Sequence, residues 1–322
     1  MKVLVTGARG FIGSSIAARL SSSGHSVVAA SRRPDEPIEA ATDIRALPNP
    51  DAETDCFNRL LDGVDHVVHC AGAAHDPGGT TRNILRQSNV VLTSRLAEAA
   101  RRSVPGRFVY LSSIRAVAAP SLEAREIDDD TTPSPGDDYA RSKLDAENGI
   151  GSVYGEDRRF VILRPPPVYG PGMKGALRQA MRLASLPIPL PLAGISGRNT
   201  LVSVAALARA AEYALLAADA GGRRFLVGDR EPVTIGEIMA SFRAGMNRTA
   251  LIFPVPDIVL RAVLASLGLS TIWTRVAGSI VIKGARFEET GWSPDTNPLL
   301  ALRALAAAAS GHAATRNAND RS

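Results

Sequence analysis

Val3-Leu4-Val5-Thr6-Gly7-Ala8-Arg9-Gly10-Phe11-Ile12-Gly13 is the stretch that decides the fold. Val3-Leu4-Val5 is a short apolar run rich in β-branched residues, which reads as a strand. From Ile12 to Leu20 the apolar positions fall at helical spacing, and Gly24 is a good stop for that helix. Between strand and helix lie three glycines. One lets the chain turn tightly, a second lets backbone N–H groups approach a pyrophosphate, and a third lets helix pack on strand. The spacing is GxxGxxG rather than GxGxxG; its position directly after a first strand gives it weight. Gly7, Arg9, Gly10, Phe11, Ile12 and Gly13 are therefore candidates for binding a dinucleotide.

Outward from this turn, strand and helix signals alternate. Ser26–Ala30, His66–Cys70, Phe108–Leu111 and Phe160–Leu163 read as strands. Arg82–Arg102 and Asp138–Tyr154 read as helices. Such alternation implies an α/β fold with a doubly wound parallel sheet, covered by helices on both faces. The pattern predicts a dinucleotide-binding domain over 1–167. Residues 198–228 return to it through a helix from Val204 to about Ala218 and a strand at Arg224–Val227. A smaller, mainly helical lobe is expected from 168–197 and 229–309, with the extended segment Leu186–Pro191 inside it. The polar stretch 310–322 reads as a disordered tail.

Composition narrows the function class. In 322 residues, 45% hydrophobic and 21% charged side chains are an ordinary globular mixture able to bury a core. The excess of 37 Lys+Arg over 32 Asp+Glu is scattered as Arg pairs, with no basic stripe interleaved with aromatics. That argues against nucleic acid and for an anionic small substrate. The two cysteines, Cys56 and Cys70, make no disulfide framework and no zinc spacing, and the histidines form no i, i+4 pair, so no metal is implied. The N-terminal apolar run is too short for a signal peptide, and no uninterrupted apolar run reaches about 18 residues. Cytoplasmic localisation without membrane insertion is the expectation.

The end of the second strand bears on cofactor choice. An NAD site usually carries an Asp or Glu about 20 residues past the glycines, on the ribose 2′-hydroxyl. Here that place holds Ser31, Arg32 and Arg33. With no carboxylate there, a hydroxyl and guanidinium groups can hold a 2′-phosphate, and Arg9 can reach it from the other side. NADP(H) is favoured, with NAD(H) the alternative.

Chemistry enters with Ser112-Ser113 after the strand Phe108–Leu111 and with Tyr139-Ala140-Arg141-Ser142-Lys143 at the start of a helix. Tyr139 and Lys143, at i and i+4, share one helix face. An ammonium and an oxidised nicotinamide beside the phenol would pull its pKa down from about 10, making it a usable acid or base. A Ser hydroxyl at the strand end can bridge the substrate oxygen to it. Lys174 and Arg198 are candidates to pair a substrate diphosphate, and Arg115, near Ser113, to line its pocket.

Together, Gly7, Gly10, Gly13, Ser113, Tyr139 and Lys143 resemble the extended short-chain dehydrogenase/reductase superfamily, in its nucleotide-sugar epimerase/dehydratase branch. Asp43-Ile44, Ala71-Gly72-Ala73, Asn89, the Arg164–Gly172 segment and Glu289–Pro294 agree with it over nearly the whole chain. The resemblance implies that Asp43 and Ile44, after the third strand, meet the adenine. It implies that Ala71, Gly72, Ala73 and Asn89 also line the cofactor site. Pro166 and Val168 would lie near the nicotinamide, Lys143 would hold its ribose, and Ser113 would be the catalytic hydroxyl. Two helices, Arg82–Arg102 and Asp138–Tyr154, imply a homodimer by analogy.

Departures from the family pattern sort its members. Dehydratases carry Asp-Glu after the catalytic hydroxyl residue, and 3,5-epimerases a Cys; this chain has Ile114-Arg115. Hydride chemistry alone remains. The expected reaction is NADPH-dependent reduction of the 4-keto group of a nucleoside-diphosphate sugar, in surface-polysaccharide synthesis. The alternative is 4-epimerisation of a UDP-sugar with tightly held NAD. A catalytically idle NAD(P)-binding scaffold is a third reading, against which an intact Ser113, Tyr139 and Lys143 argue.

Overall fold

The computed structural model describes the chain except for residues 74–79, 124, 267, 269–272, 274–276, 284–285, 295–296 and 320–322, with backbone alone over 311–319. Its centre is a seven-stranded sheet. The strands are β1 (Lys2–Thr6), β2 (Ser26–Ser31), β3 (Asp43–Ala46), β4 (His66–His69), β5 (Phe108–Leu111), β7 (Phe160–Arg164) and β11 (Arg223–Leu226). Their order is β11-β7-β5-β4-β1-β2-β3, and every neighbouring pair is parallel. The chain leaves β1 toward β2 on one side and later returns to β4 on the other. This reversal opens a crevice at the carboxyl ends of the strands, where ligands bind in such sheets.

The pleat divides the core. Val3, Val5, Val27 and Ala29 face a layer with helix α1 (Phe11–Ser22) and helix α7 (Val204–Leu216). Leu4, Val28, Val67 and Tyr110 face the opposite layer, made by helices α2 (Thr54–Leu60), α4 (Leu92–Ser103) and α5 (Asp138–Tyr154). Alternate residues of one strand thus serve two helix layers. The Ala-rich composition of α7 lets it pack closely: Ala206, Ala208, Ala210, Ala211 and Ala214 are all buried.

The expected single helix Arg82–Arg102 is broken into three parts. Helix α3 (Arg82–Leu85) and α4 flank a π-helical segment, Arg86–Val91. Wider turns of this kind redirect a side chain without ending the helix. Here the redirected residue is Asn89.

The remaining strands form two-stranded pairs: β8 (Val168–Tyr169) with β10 (Val202–Ser203), β9 (Arg198–Asn199) with β12 (Val233–Thr234), and β6 (Glu126–Ile127) with β13 (Val281–Ile282). Around them, helices α6 (Gly175–Ala184), α8 (Ile235–Gly245), α9 (Asp257–Ser266), α10 (Arg286–Glu289) and α11 (Pro298–Asn319) complete the chain. Arg243 on α8 is buried and holds the proline-rich segment, donating to the carbonyls of Leu186 at 3.2 Å and Ile188 at 2.6 Å. A segment poor in N–H donors is thus anchored through its carbonyls. The polar stretch expected as a tail from Ser310 is instead helical as far as Asn319, where α11 continues; 320–322 lie outside the described residues.

Candidate active site

The turn after β1 has the geometry that its glycines suggested. Gly7 has φ of +71°, and a Cβ there would stand 2.9 Å from the Ala71 nitrogen. A Cβ on Gly13 would stand 2.2 Å from the Gly7 carbonyl oxygen, so α1 could not pack where it does. Gly10 caps α1 and makes no side-chain cap bond, leaving first-turn N–H groups of the helix without an internal acceptor. Such an end attracts a phosphate.

In front of it lies a cleft of ≈ 690 Å³ crossing the carboxyl ends of β1 to β4. It is lined by Gly7, Arg9 and Gly10, by Ser31, Arg32 and Arg33, and by Ala71, Gly72 and Ala73. The cleft, the tight glycine turn and the uncapped helix end fit an extended dinucleotide. The side chains of Phe11 and Ile12 pack into core clusters, so only their backbone can serve it.

Several anticipated contacts fall elsewhere. Asp43 begins β3 rather than following it, opposite Val28 and below the carboxyl edge, and its carboxylate accepts from Arg45 at 2.8 Å. Asp43 and Ile44 do not line the cleft; Leu47, Pro48 and Asn49 beyond the strand end do. The sequence carried no motif for them. Pro166 is buried and Val168 packs against the core, both outside the cleft lining. Asn89 is fully buried behind the cleft wall. Its Oδ1 accepts from the Ala73 nitrogen at 2.7 Å, and its Nδ2 donates to the Ala73 carbonyl at 3.0 Å and Ser142 Oγ at 2.9 Å. It shapes the Ala71–Ala73 turn instead of facing a ligand.

The arginine rim also differs from expectation. A carboxylate is present after all: Glu36 pairs with Arg9 at 3.3 Å and Arg33 at 2.9 Å. Arg9 also donates to Ser31 Oγ at 3.2 Å. Glu36 lies only three residues past Arg33, and the loop after β2 folds its carboxylate back onto the rim. Arg32, exposed on the same rim, has no ion pair among the described residues.

The catalytic candidates meet beside the cleft. Ser113 follows β5 and Tyr139 lies in the first turn of α5, and Arg115 links them: its backbone N–H donates to Ser113 Oγ at 3.2 Å and its guanidinium lies over the Tyr139 ring. Burial pushes the Tyr139 phenol above its usual value, opposed by the Arg115 charge and the nearby Ser113 hydroxyl. The expected pull from Lys143 is not realised in the protein alone. Its ammonium donates instead to the Leu111 carbonyl at 2.9 Å and Tyr110 Oη at 3.2 Å. Burial lowers the Lys143 pKa to about 8, with Cys70 and Glu147 opposing.

Behind Lys143 lies a polar chain that the sequence did not advertise. The Tyr110 ring stacks on His69 with centroids 5.6 Å apart, Thr93 Oγ1 is 2.8 Å from His69 Nε2, and His69 Nδ1 is 2.6 Å from Thr6 Oγ1. Burial lowers the His69 pKa to about 3, so the ring is neutral at pH 7. The Thr6 hydroxyl also accepts from the Cys70 and Ala71 nitrogens at 3.1 and 3.0 Å, tying the chain to the cleft floor. Ser112, the other half of the serine pair, donates to the fully buried Glu147 at 2.5 Å, and Arg164 forks onto the same carboxylate.

The substrate candidates separate. Lys174 lines the cofactor cleft. Arg198 lines another cavity, of ≈ 550 Å³, with Arg125, Arg261 and Trp273. Arg115 lies over the Tyr139 ring, its guanidinium carbon 5.5 Å from the centroid, and pairs with Asp137.

A parallel doubly wound sheet, a glycine-turn cleft at its switch point and a Ser–Tyr pair beside it define a dinucleotide-dependent oxidoreductase of the extended short-chain dehydrogenase/reductase type. The chain belongs to the NAD dependent epimerase/dehydratase family, whose sequence profile matches residues 3–228. Among its relatives, UDP-glucose 4-epimerase of Vibrio cholerae is 29% identical over 91% of this chain and 90% of its own length. dTDP-6-deoxy-L-talose 4-dehydrogenase (NAD(P)(+)) of Kitasatospora kifunensis is 32% identical over 54% of both chains. The fold matches UDP-glucuronic acid 4-epimerase from Bacillus cereus in complex with NAD, with TM-score 0.75 and 20% identity over 95% of this chain and 96% of that one. A human epimerase family protein with NADPH matches with TM-score 0.72 and 23% identity over 95% and 99%. Among the described residues no helix is long and apolar enough to cross a membrane.

Proposed function

We propose that this chain reduces the 4-keto group of a nucleoside-diphosphate sugar at the expense of NADPH, as a step of surface-polysaccharide synthesis. The observation that carries the reading is the gathering of Ser113, Tyr139 and Lys143 at the end of β5, beside a cleft whose β2 end presents Ser31, Arg32 and Arg33. When bound, the nicotinamide supplies the hydride for the new C–H bond at the carbonyl carbon. Tyr139 gives its phenolic proton to the carbonyl oxygen, completing the alcohol, and Ser113 Oγ hydrogen-bonds that oxygen and orients it. Lys143 holds the nicotinamide ribose. The glycine turn and α1 hold the pyrophosphate through backbone N–H groups. Arg32, with Arg33 and Arg9 freed from Glu36, grips the 2′-phosphate.

The lobe built from 168–197 and 229–309 presents the sugar nucleotide, with Arg198, the first residue of the segment returning to the sheet domain, on its diphosphate. The named relatives act on 4-positions of nucleotide sugars, which supports that substrate class. Incubation with a 4-keto dTDP-sugar should consume NADPH stoichiometrically. Interconversion of UDP-glucose and UDP-galactose without net cofactor change would instead establish the 4-epimerase reading, which the full-length similarity to the Vibrio cholerae enzyme favours.

A further inference from the structure

Arg115 stands where three parts of the acid–base apparatus meet. Its backbone N–H donates to Ser113 Oγ at 3.2 Å, at the start of a 3-10 turn, Ile114–Ala116. Its guanidinium covers the Tyr139 ring. The same guanidinium pairs through Nη2 with Asp137. Asp137 is in turn the N-cap of α5, its Oδ1 accepting from the Ala140 nitrogen at 2.8 Å. The residue that starts the tyrosine's helix therefore also fixes the arginine above the tyrosine. An ordinary surface ion pair would have no reason to bridge a catalytic serine, a catalytic ring and a helix cap.

We propose that Arg115 is a positioning residue for proton transfer: clamped by Asp137, it fixes the Tyr139 ring against Ser113 and keeps a positive charge beside the phenol. This rests on the reading of Tyr139 as proton donor. The groups around that phenol are few. Ser113 faces it from the end of β5 and Arg115 from the 3-10 turn, while Asp137 lies at the helix cap and Tyr110 on the inner side. Lys143, on the same helix, is engaged by Tyr110 and Leu111, and the Asp138–Arg82 pair lies at the exposed end. Among them Arg115 is the cation that opposes burial at Tyr139.

The sign is fixed. A nearby cation favours the tyrosinate, so removing it raises the phenol's pKa. Reduction needs the protonated phenol, and its rate falls as pH rises through that pKa; losing Arg115 moves this falling limb to higher pH. Oxidation, the first half of an epimerisation, needs the tyrosinate, and its rising limb moves the same way. The slope of the limb identifies the reaction, while its displacement reports on Arg115.

The test titrates tyrosine ultraviolet absorbance in the full chain. Subtracting Tyr139→Phe isolates one phenol among the 5 tyrosines. Arg115→Met should raise its midpoint by about half to one pH unit, and Arg115→Lys should recover most of that shift. The kcat/KM limb with NADPH and a 4-keto dTDP-sugar should move equally. A midpoint that stays within about 0.2 unit of wild type in folded Arg115→Met or Arg115→Gln overturns the proposal. A displaced midpoint with a kinetic limb indifferent to it leaves Arg115 as the charge at the phenol but removes Tyr139 from the chemistry.

Discussion

The sheet half and the smaller lobe solve the placement of polar groups in opposite ways. At the sheet's carboxyl edge each important side chain is fixed by a strand end or a helix start: Thr6 by β1, Ser31 by β2, His69 by β4, Ser113 by β5, Tyr139 and Lys143 by α5. Thr6, Ser31, His69 and Lys143 are buried, and Thr6 and His69 are hydrogen-bonded to each other. Where the smaller lobe meets the sheet half, Arg125, Arg198 and Arg261 rim a cavity, Arg198 from a two-residue strand and Arg261 from helix α9, and Arg198 is anchored by the Pro232 carbonyl at 2.6 Å and Glu237 at 3.8 Å. The difference teaches that the groups proposed for the reaction are fixed by strand ends and helix starts, while those proposed for recognition can change without disturbing them.

Breaking the rigid half should cost most. Glu147→Ala strands Arg164, which is 3% exposed, without its carboxylate. It should lower unfolding free energy by about 3–5 kcal/mol in urea titration. Next is the buried imidazole. His69 is held neutral with a pKa of about 3 against 6.5 in the unfolded chain, so protons bind preferentially to the unfolded state below pH 6.5. Its stabilising contribution is complete above pH 6.5 and should fall by roughly 2–3 kcal/mol as pH drops to about 4.5. Denaturation across that range should show His69→Gln with a correspondingly flatter acid limb.

The lobe should respond more gently and in a different parameter. Arg198→Ala should raise the KM for the sugar nucleotide about tenfold with kcat nearly unchanged, since it removes one charge-assisted contact remote from the reacting carbon. Steady-state kinetics separate the two. The smallest effect belongs to the cofactor rim. Glu36→Gln frees Arg9 and Arg33, and should tighten NADPH by a few-fold relative to NADH in fluorescence titrations.

What the sequence disclosed follows the same divide. The sheet was legible because its signals are local: a strand, a glycine turn and a helix imply one another within a dozen residues. Tyr139 and Lys143 share a helix face by spacing alone. The failures in this half have separate causes. Glu36, three residues past Arg33, is turned back onto the rim by its loop, while Lys143 finds Tyr110 on a strand 33 residues away in the chain. Asp43 was misplaced because a four-residue strand has no clear boundary. The π-helical segment at Asn89 has no composition signature; its evidence is the packing of Asn89 against Ala73 and Ser142. In the smaller lobe the strands are two residues long, below what hydrophobic periodicity can mark. Arg243 binding carbonyls of the proline-rich segment is a contact that only the folded chain displays.

The central claim is that the Tyr139 phenol is the proton source in a reaction completed by hydride transfer. Tyr139→Phe keeps the ring beneath Arg115 and removes only the hydroxyl, so the folded protein should still bind NADPH as the wild type does. Its kcat with a 4-keto dTDP-sugar should fall on the order of 10²-fold or more. Turnover within about twofold of wild type in that variant would contradict the account.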